Sequence, residues 1–426
     1  MEGSIIQLGL GNYLIDKNDT SNSFFKHQYK NYANYVKHTK KLNFKSKTDF
    51  GSTISMNIDE EANYGDLITN MVLEIDLPDI SSLVTTSGEA IGYCNGIGNS
   101  LIKRCDLKIG GNVIDQQDGD WMNIWSQLAI PSGKQNNYDN MIKKSNNFTV
   151  SNFTGGKIFV PLFFWFCQNT NFKNNFSLPL VSLRNNNIEL IIELRTFLES
   201  IFSNDGTIPT TSLNIENISI LIDYVILNEK ERINYLESKF HVYLMHQVQS
   251  QKYDIAENTT NLNISMKNFK YPIIELFLAI RRNDNETRKN YFNYSDSLLD
   301  INNNNPIDTI RLTLDGKDRI EEMSALYFTQ VEPSKIHDNI PNSYIHCYSF
   351  ALEPENLAQP SGTCNFSEIY EPMLHIKLND NIVNSTLFIY TINYNVLQID
   401  KSGNSYLLHN LSKSAPTVLD KKNKCD

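Results

Sequence analysis

Hydrophobic and polar positions alternate with a period of two through much of this chain. In Ser52–Ile58, the side chains Ile54, Met56 and Ile58 share a face. In Leu73–Leu77, Leu73, Ile75 and Leu77 face one way while Glu74 and Asp76 face the other. Asn187–Leu194 sets Ile188, Leu190, Ile192 and Leu194 against Glu189 and Glu193. Thr309–Leu314 sets Ile310, Leu312 and Leu314 against Thr309, Arg311 and Thr313. Thr386–Tyr394 lines up Phe388, Tyr390, Ile392 and Tyr394. Alternation of this kind marks half-buried strands. Turn signals punctuate the runs: Gly110-Gly111-Asn112, Asp118-Gly119, Asn204-Asp205-Gly206, Asp315-Gly316 and Ser402-Gly403. Convincing helical stretches are few. The best is Asn228–Ser238, with the charged run Glu229-Lys230-Glu231-Arg232, near mid-chain after the strand-like Ile218–Ile226. It reads as a connector between two domains.

Short strands with frequent turns point to sandwiches or barrels. With 426 residues, two units of about 200 residues each are the natural division. Pattern alone does not separate a jelly roll from an immunoglobulin-like sandwich, and no sequence repeat relates the halves. The 21 Tyr and 22 Phe suit strands. The 55 asparagines disfavour helix and strand interiors and imply much loop.

A net charge of −10 argues against wrapping nucleic acid with the whole surface. One segment runs the other way. Phe25–Lys47 carries Lys26, Lys30, Lys37, Lys40, Lys41, Lys45 and Lys47 with no acidic residue. It reads as a solvated basic arm, or as an arm facing acidic headgroups or an acidic partner. Met1–Leu14 has neither the basic start nor the apolar stretch of a signal peptide. The longest mainly apolar run, Ile158–Cys167, is about half of a membrane span. A cytosolic site of synthesis is expected.

Catalytic and metal-binding patterns do not emerge. Cys94, Cys105, Cys167, Cys347, Cys364 and Cys425 match no zinc spacing and form no disulfide scaffold; free thiols are expected. Gly88, Gly92, Gly96 and Gly98 end at Leu101, where a dinucleotide fingerprint needs glycine, so they read as a loop. Asp115, Asp118 and Asp120 around Gly119 lack the calcium-loop spacing and read as a hairpin turn. His241 and His246, five apart, share neither a strand face nor a helix face. About a dozen N-x-[ST] sequons, Asn147, Asn152, Asn258, Asn263, Asn285 and Asn293 among them, barely exceed chance, and a cytosolic chain would not be glycosylated there.

Four stretches in order carry a resemblance. Asp106–Trp125 reads DLKIGGNVIDQQDGDWMNIW, a strand, a Gly-Gly turn and a Trp-Met block. Phe159–Leu183 reads FVPLFFWFCQNTNFKNNFSLPLVSL. Asp318–Pro341 reads DRIEEMSALYFTQVEPSKIHDNIP. Tyr348–Phe366 reads YSFALEPENLAQPSGTCNF, a strand-like Tyr348–Leu352 leading to the tight turn Gln359-Pro360-Ser361-Gly362 and the pair Asn365-Phe366. Together, over Phe25–Asn410, they resemble the major capsid proteins of the nucleocytoplasmic large DNA viruses. The family's C-terminal glycine-rich block is reduced here to Ser402–Asn410, SGNSYLLHN, which keeps Gly403, Leu407 and Asn410 without a second glycine.

The resemblance implies an all-β chain of two tandem eight-stranded antiparallel jelly rolls with few short helices. It divides into an N-terminal arm (1–24), a first jelly roll (25–225), a linker (226–238), a second jelly roll (239–410) and a C-terminal tail (411–426). It implies a non-enzymatic shell protein with no cofactor and no metal. Three copies would form a pseudo-hexagonal capsomer tiling an icosahedral virion. Minor capsid proteins and an inner viral membrane are its possible partners, sequence-specific nucleic acid is not, and assembly is expected in the host cytoplasm. The aromatic segment Phe159–Phe166 is expected to supply apolar surface for association. The site residues are structural turn positions, Gly110, Gly111, Pro360 and Gly362, with Pro360 presetting φ and Gly362 free to adopt positive φ. A jelly-roll glycan-binding module is the alternative, because lectins share the architecture and fold does not fix function.

Overall fold

The computed structural model describes residues 34–58, 64–85, 88, 91–145, 153–167, 176–203, 211–298, 304–356, 359–379 and 382–408. The expected N-terminal arm and C-terminal tail, Cys425, the Asn204-Asp205-Gly206 turn, and the sequons at Asn147 and Asn152 lie outside these residues. The architecture that follows is that of residues 36–426.

Eleven strands occupy the first half: β1 (Tyr35–Asn43), β2 (Thr53–Asn57), β3 (Leu67–Leu77), β4 (Gly92–Tyr93), β5 (Ile102–Ile109), β6 (Asn112–Gln117), β7 (Gly156–Pro161), β8 (Leu178–Pro179), β9 (Ile188–Leu194), β10 (Ile201–Phe202) and β11 (Asn217–Leu227). Helices α1 (Ile97–Ser100), α2 (Gly119–Ala129) and α3 (Ser132–Ile142) interrupt them. Helix α4 (Glu229–Glu237) follows, begun by the Asn228 side chain, whose oxygen accepts from the Glu231 amide at 2.8 Å. The second half holds β12 (Phe240–Ile255), β13 (Asn261–Ser265), β14 (Pro272–Arg282), β15 (Ile307–Leu314), β16 (Lys317–Ser324), β17 (His346–Ser349), β18 (Cys364–Asn365), β19 (Pro372–Leu378), β20 (Ser385–Asp400) and β21 (Ser405–Leu407). Helix α5 (Asn283–Thr287) follows β14. A π-turn at Tyr327–Val331 runs into α6 (Glu332–Ile336). Strands make up 45% and helices 17%, so sheets carry the fold.

The two halves share one topology. The first builds a sheet in the order β1-β11-β3-β7 and a second in the order β2-β9-β5-β6. The other half repeats this as β12-β20-β14-β17 and β13-β19-β15-β16. Ranked by chain order, the eight principal strands of each half stand 1-8-3-6 and 2-7-4-5. Among the described residues, every pairing with a register is antiparallel. This is an eight-stranded jelly roll, twice. The short strands β8, β18 and β21 extend the sheets, and β4 pairs β10. The repeat that the sequence hides extends to the turns. The hairpins β5–β6 and β15–β16 both close on two residues with positive φ: Gly110 (+58°) and Gly111 (+80°) in one, Asp315 (+49°) and Gly316 (+76°) in the other.

Each sandwich has its own apolar core. In β3, Leu73, Ile75 and Leu77 point inward, as do Ile188, Leu190, Ile192 and Leu194 of β9. Three expectations change. The aromatic run after β7 does not supply outer surface: Phe163, Phe164, Trp165 and Phe166 are buried inside the monomer, with Trp165 edge-on to Phe166 and tilted against Tyr243. The strand expected at Tyr348–Leu352 ends at Ser349, and Leu352 is exposed. Asp118-Gly119 is no hairpin turn. Asp118 caps α2, its carboxylate accepting from the Trp121 amide at 2.8 Å. Every residue of α2 is buried, its polar side chains Asp120, Asn123, Ser126 and Gln127 included.

Gly362, expected to end a tight turn after β17, is closely fitted in the structure. Gly362 sits at φ +150°, and a Cβ there would lie 2.6 Å from the Phe350 carbonyl oxygen. Pro360 is exposed just before it. Replacing Gly362 by Val should cost about 1–3 kcal/mol of stability from backbone strain, with the close approach adding to it. The expected outcome is a lower denaturant midpoint and lower soluble yield than wild type. An unchanged midpoint would show that the turn tolerates a side chain.

Candidate functional site

The shape that a chain of two sandwiches presents depends on how one sandwich is fixed to the other. The fixing surface is one face of the β12-β20-β14-β17 sheet. In β14 nine consecutive residues, from Ile273 to Arg281, are buried. Ile273, Leu276, Leu278 and Ile280 enter the core of the second sandwich; Ile274, Phe277 and Ala279 enter the core continuous with the first. The register shift between Ile273 and Glu275 explains the change of parity: a bulge turns Glu275, Phe277, Ala279 and Arg281 toward the first sandwich. In β20, Leu387 and Ile389 face the second core, and Phe388, Tyr390, Ile392 and Tyr394 the first.

Helix α2 lies on this wall. Trp121 stacks on Trp125 with centroids 5.5 Å apart and meets Phe277 edge-on at 5.4 Å and Tyr390 at 5.6 Å. Such contacts add directional preference to apolar burial. Around them sits a buried polar network. Arg281 donates to Asp120 at 2.6 Å and to the Tyr291 carbonyl at 2.9 Å, its guanidinium lying over the Phe388 ring at 4.5 Å. The Tyr390 hydroxyl donates to Asp118, its oxygen 2.8 and 2.9 Å from the two carboxylate oxygens. Burial, reinforced by neighbouring Asp120, raises the Asp118 carboxyl above its usual range.

Two further contacts pin the arrangement. At the edges of β6 and β12, Asp115 accepts from its own strand's Gln117 side chain at 2.8 Å and Gln116 amide at 2.9 Å, and across the divide from the Val248 amide at 3.3 Å. Burial pushes its carboxyl up to about 7. On the other flank the turn at Arg184–Asn186 receives the Ser402-Gly403 turn. Asn185 donates to the Ser402 carbonyl at 2.6 Å, Asn186 donates to the Gly403 carbonyl, and the Ser405 hydroxyl donates to Asn186 at 3.1 Å. Gly403, at φ +88°, comes so close that a Cβ would lie 3.1 Å from the Arg184 amide nitrogen. Gly110 packs against the same Asn186, 2.6 Å from where its Cβ would be.

Of the positions singled out in the sequence, Gly110 thus borders this interface. Gly111 shares its turn, and Pro360 and Gly362 lie in the connection between β17 and β18. Asp115, Asp118 and Asp120, read as surroundings of a hairpin, are the ones the fold brings to the interface. His241 stacks on Tyr235 and its ring Nε2 lies 2.7 Å from that residue's carbonyl, whereas His246 is buried beside Tyr394 and burial lowers it to about 3. The five described cysteines are free. The sequons Asn285 and Asn293 are buried.

No spacing in the sequence announces a second cluster on the wall. His337, just past α6, places Nε2 2.8 Å from Glu275 Oε1 and Nδ1 2.8 Å from Glu355 Oε1. The Cys347 thiol of β17 lies alongside, opposite Phe277 in register. Burial opposes a charge on His337, yet the Glu275 carboxylate with Cys347 and Glu355 raises the imidazole well above its usual value. Burial pushes the Cys347 thiol up to about 11. Trp125 of α2 meets the imidazole edge-on.

Two jelly rolls of one topology, locked through a common wall, define a double jelly-roll protein. Comparison with known proteins agrees. Residues 23–228 match the family described as major capsid protein N-terminus, and residues 229–404 match large eukaryotic DNA virus major capsid protein. The major capsid protein of Phaeocystis pouchetii virus is 25% identical, with 88% of this chain and 93% of the relative aligned. That of Pyramimonas orientalis virus is 26% identical over 88% of this chain and 91% of its own length. In a quasi-atomic model of the PBCV-1 virus capsid, a chain of 24% identity superposes with a TM-score of 0.76, over 91% of this chain and 99% of that one. The Faustovirus major capsid protein superposes with a TM-score of 0.71 at 14% identity, over 89% and 93%. This chain belongs to the major capsid proteins of large eukaryotic DNA viruses.

Two outcomes follow for the interface. Arg281→Met strands Asp120 as a buried, unpaired charge and should destabilise by about 3–5 kcal/mol in denaturant titrations. The double variant Asp120→Leu/Arg281→Met should recover most of that loss, and no recovery would mean the pair is not the source. Asp115 sets a pH dependence. Its native carboxyl, at about 7, retains a proton that the unfolded chain, near 3.8, has already released. Stability from this group is therefore full below about pH 4 and falls as pH rises to about 7, by up to about 1.4 kcal/mol per unit. Asp115→Asn should flatten the fall in melting temperature between those limits, and identical slopes in the two proteins would exclude Asp115.

Proposed function

We propose that this capsid protein assembles as a homotrimer, each copy supplying two jelly rolls, and that these pseudo-hexagonal capsomers tile an icosahedral shell. The observation that carries the reading is the repeated strand order within one chain. Three copies place six equivalent sandwiches around an axis, so a threefold object offers neighbours a nearly sixfold outline. A cyclic trimer closes its heterologous contacts and leaves an outer rim for the lattice. The proposed division is 1–24, 25–225, 226–238, 239–410 and 411–426, with helix α4 in the linker.

The surface supports association by side chains more than by strand edges. The outer strand β1 exposes Lys37, Lys40 and Lys41, a feature that blocks edge-to-edge pairing. Apolar side chains project elsewhere: Val242 is 65% exposed, Leu352 80% and Tyr370 81%. The lysines of β1 suit an acidic neighbour, either a minor capsid protein or the headgroups of an inner membrane. The work is structural, the place is the virion, and assembly occurs in host cytoplasm. No residue is assigned a catalytic role.

Light scattering on the purified chain tests this. The expected mass is three times the 48.9 kDa of the monomer, persisting at micromolar concentration, as obligate interfaces of about 2,000 Å² or more allow. A stable monomer, with no trimers or arrays in electron micrographs, would overturn the proposal.

A further inference from the structure

We propose that Glu275, His337 and Cys347 form a binding site for one zinc-like divalent cation inside the wall between the two jelly rolls. The donor atoms of these residues all lie within 4.8 Å of one another. Imidazole, thiolate and carboxylate together are a donor set for zinc or its cobalt substitute and not for calcium or magnesium, which take oxygen ligands. Three segments supply them: β14, the residue after α6, and β17, the last two only ten residues apart.

The second observation is a carboxylate oxygen with nothing to bind. Glu275 is fully buried, its Oε1 engaged by His337, but its Oε2 has no hydrogen-bond partner. A buried carboxylate left half satisfied is costly, and a cation removes the cost. The bulge in β14 turns this side chain into the cluster.

The surroundings also suit a metal. Zinc bonds of about 2.0–2.3 Å in a tetrahedron set donor atoms roughly 3.3–3.8 Å apart. The His337–Glu275 pair, at 2.8 Å, must open by several tenths of an ångström, and every donor pair lies within 4.8 Å. Glu355, on Nδ1 of His337 at 2.8 Å, fixes the tautomer that leaves Nε2 free to coordinate, the usual role of an outer carboxylate. Its side chain is 18% exposed and marks the way in. Binding displaces the proton shared by His337 and Glu275 and the thiol proton of Cys347. Two protons leave for one dication, so net charge is conserved. A water completes the fourth position. The ion would fasten β14, α6 and β17 under Trp125 and stiffen the wall that fixes the two sandwiches.

The test uses the full-length protein. The chain is incubated with zinc chloride, freed of excess by gel filtration and analysed for metal, and a parallel sample receives cobalt(II). One zinc per chain is expected, with a thiolate-to-cobalt charge-transfer band in the near ultraviolet. Cys347→Ala, a small change at a buried site, should keep the wild-type circular dichroism and lose both signals. Cys105→Ala, a control at another buried thiol, should keep both. His337→Gln should lose the zinc as well. Zinc absent from wild type, cobalt bound without a thiolate band, or zinc retained in folded Cys347→Ala would each overturn the proposal. These readouts are independent of trimer formation.

Discussion

The sheet formed by β12, β20, β14 and β17 is a wall with two insides. Strand β14 has no face left for water: one set of side chains closes the second sandwich, and the other closes the seam with the first. A sheet buried on both faces loses the freedom to slide, because a one-residue slip would exchange the two sets. Phe277 and Leu278 are not interchangeable here, since one must meet Trp121 and the other must meet its own core. The relative placement of the jelly rolls therefore follows from the register of a single strand.

Apolar burial gives the seam its adhesion and the polar groups give it an address. Aromatic rings in a buried layer can settle in several arrangements of similar energy. Arg281 with Asp120, and Tyr390 with Asp118, permit only the one in which each charge or hydroxyl finds its partner. The Asp115–Val248 contact and the Asn186–Gly403 contact stand at separate points of the same seam and oppose rotation about the helix α2 contact. Contacts in separate places resist a hinge better than a larger number in one place. For a member of a capsid family this matters, because a building block that bends at its middle cannot present two outer surfaces in fixed relation.

Much of the fold was legible in the sequence. The alternations at Thr53–Asn57, Ile188–Leu194 and Ile307–Leu314 are strands. The two-residue turns at Gly110-Gly111 and Asp315-Gly316 are hairpins, and Asn228 starts helix α4. Each sits where one side meets water and the other meets core, or where backbone geometry demands a particular residue. The Phe388–Tyr394 face was legible as a face, though not as the seam. Helix α2 was missed, although Asp118 followed by apolar residues at 121, 122, 124, 125, 128 and 129 is a capped helical pattern, because Asp118-Gly119 also spells a turn. The segment Phe159–Phe166 reads as surface because a run of aromatics states hydrophobicity without stating who covers it.

By itself, the sequence determined the period of the strands, the places where the chain must turn, and membership of a family through motifs in order. Only the tertiary structure decided what each buried face is buried against. Periodicity is a record of contrast between solvent and interior, and β14 has interior on both faces, so no contrast is written there. The union of Glu275, His337 and Cys347 has the same origin. A bulge, a helix end and a neighbouring strand bring them together, and those are properties of the folded backbone that no spacing along the chain contains.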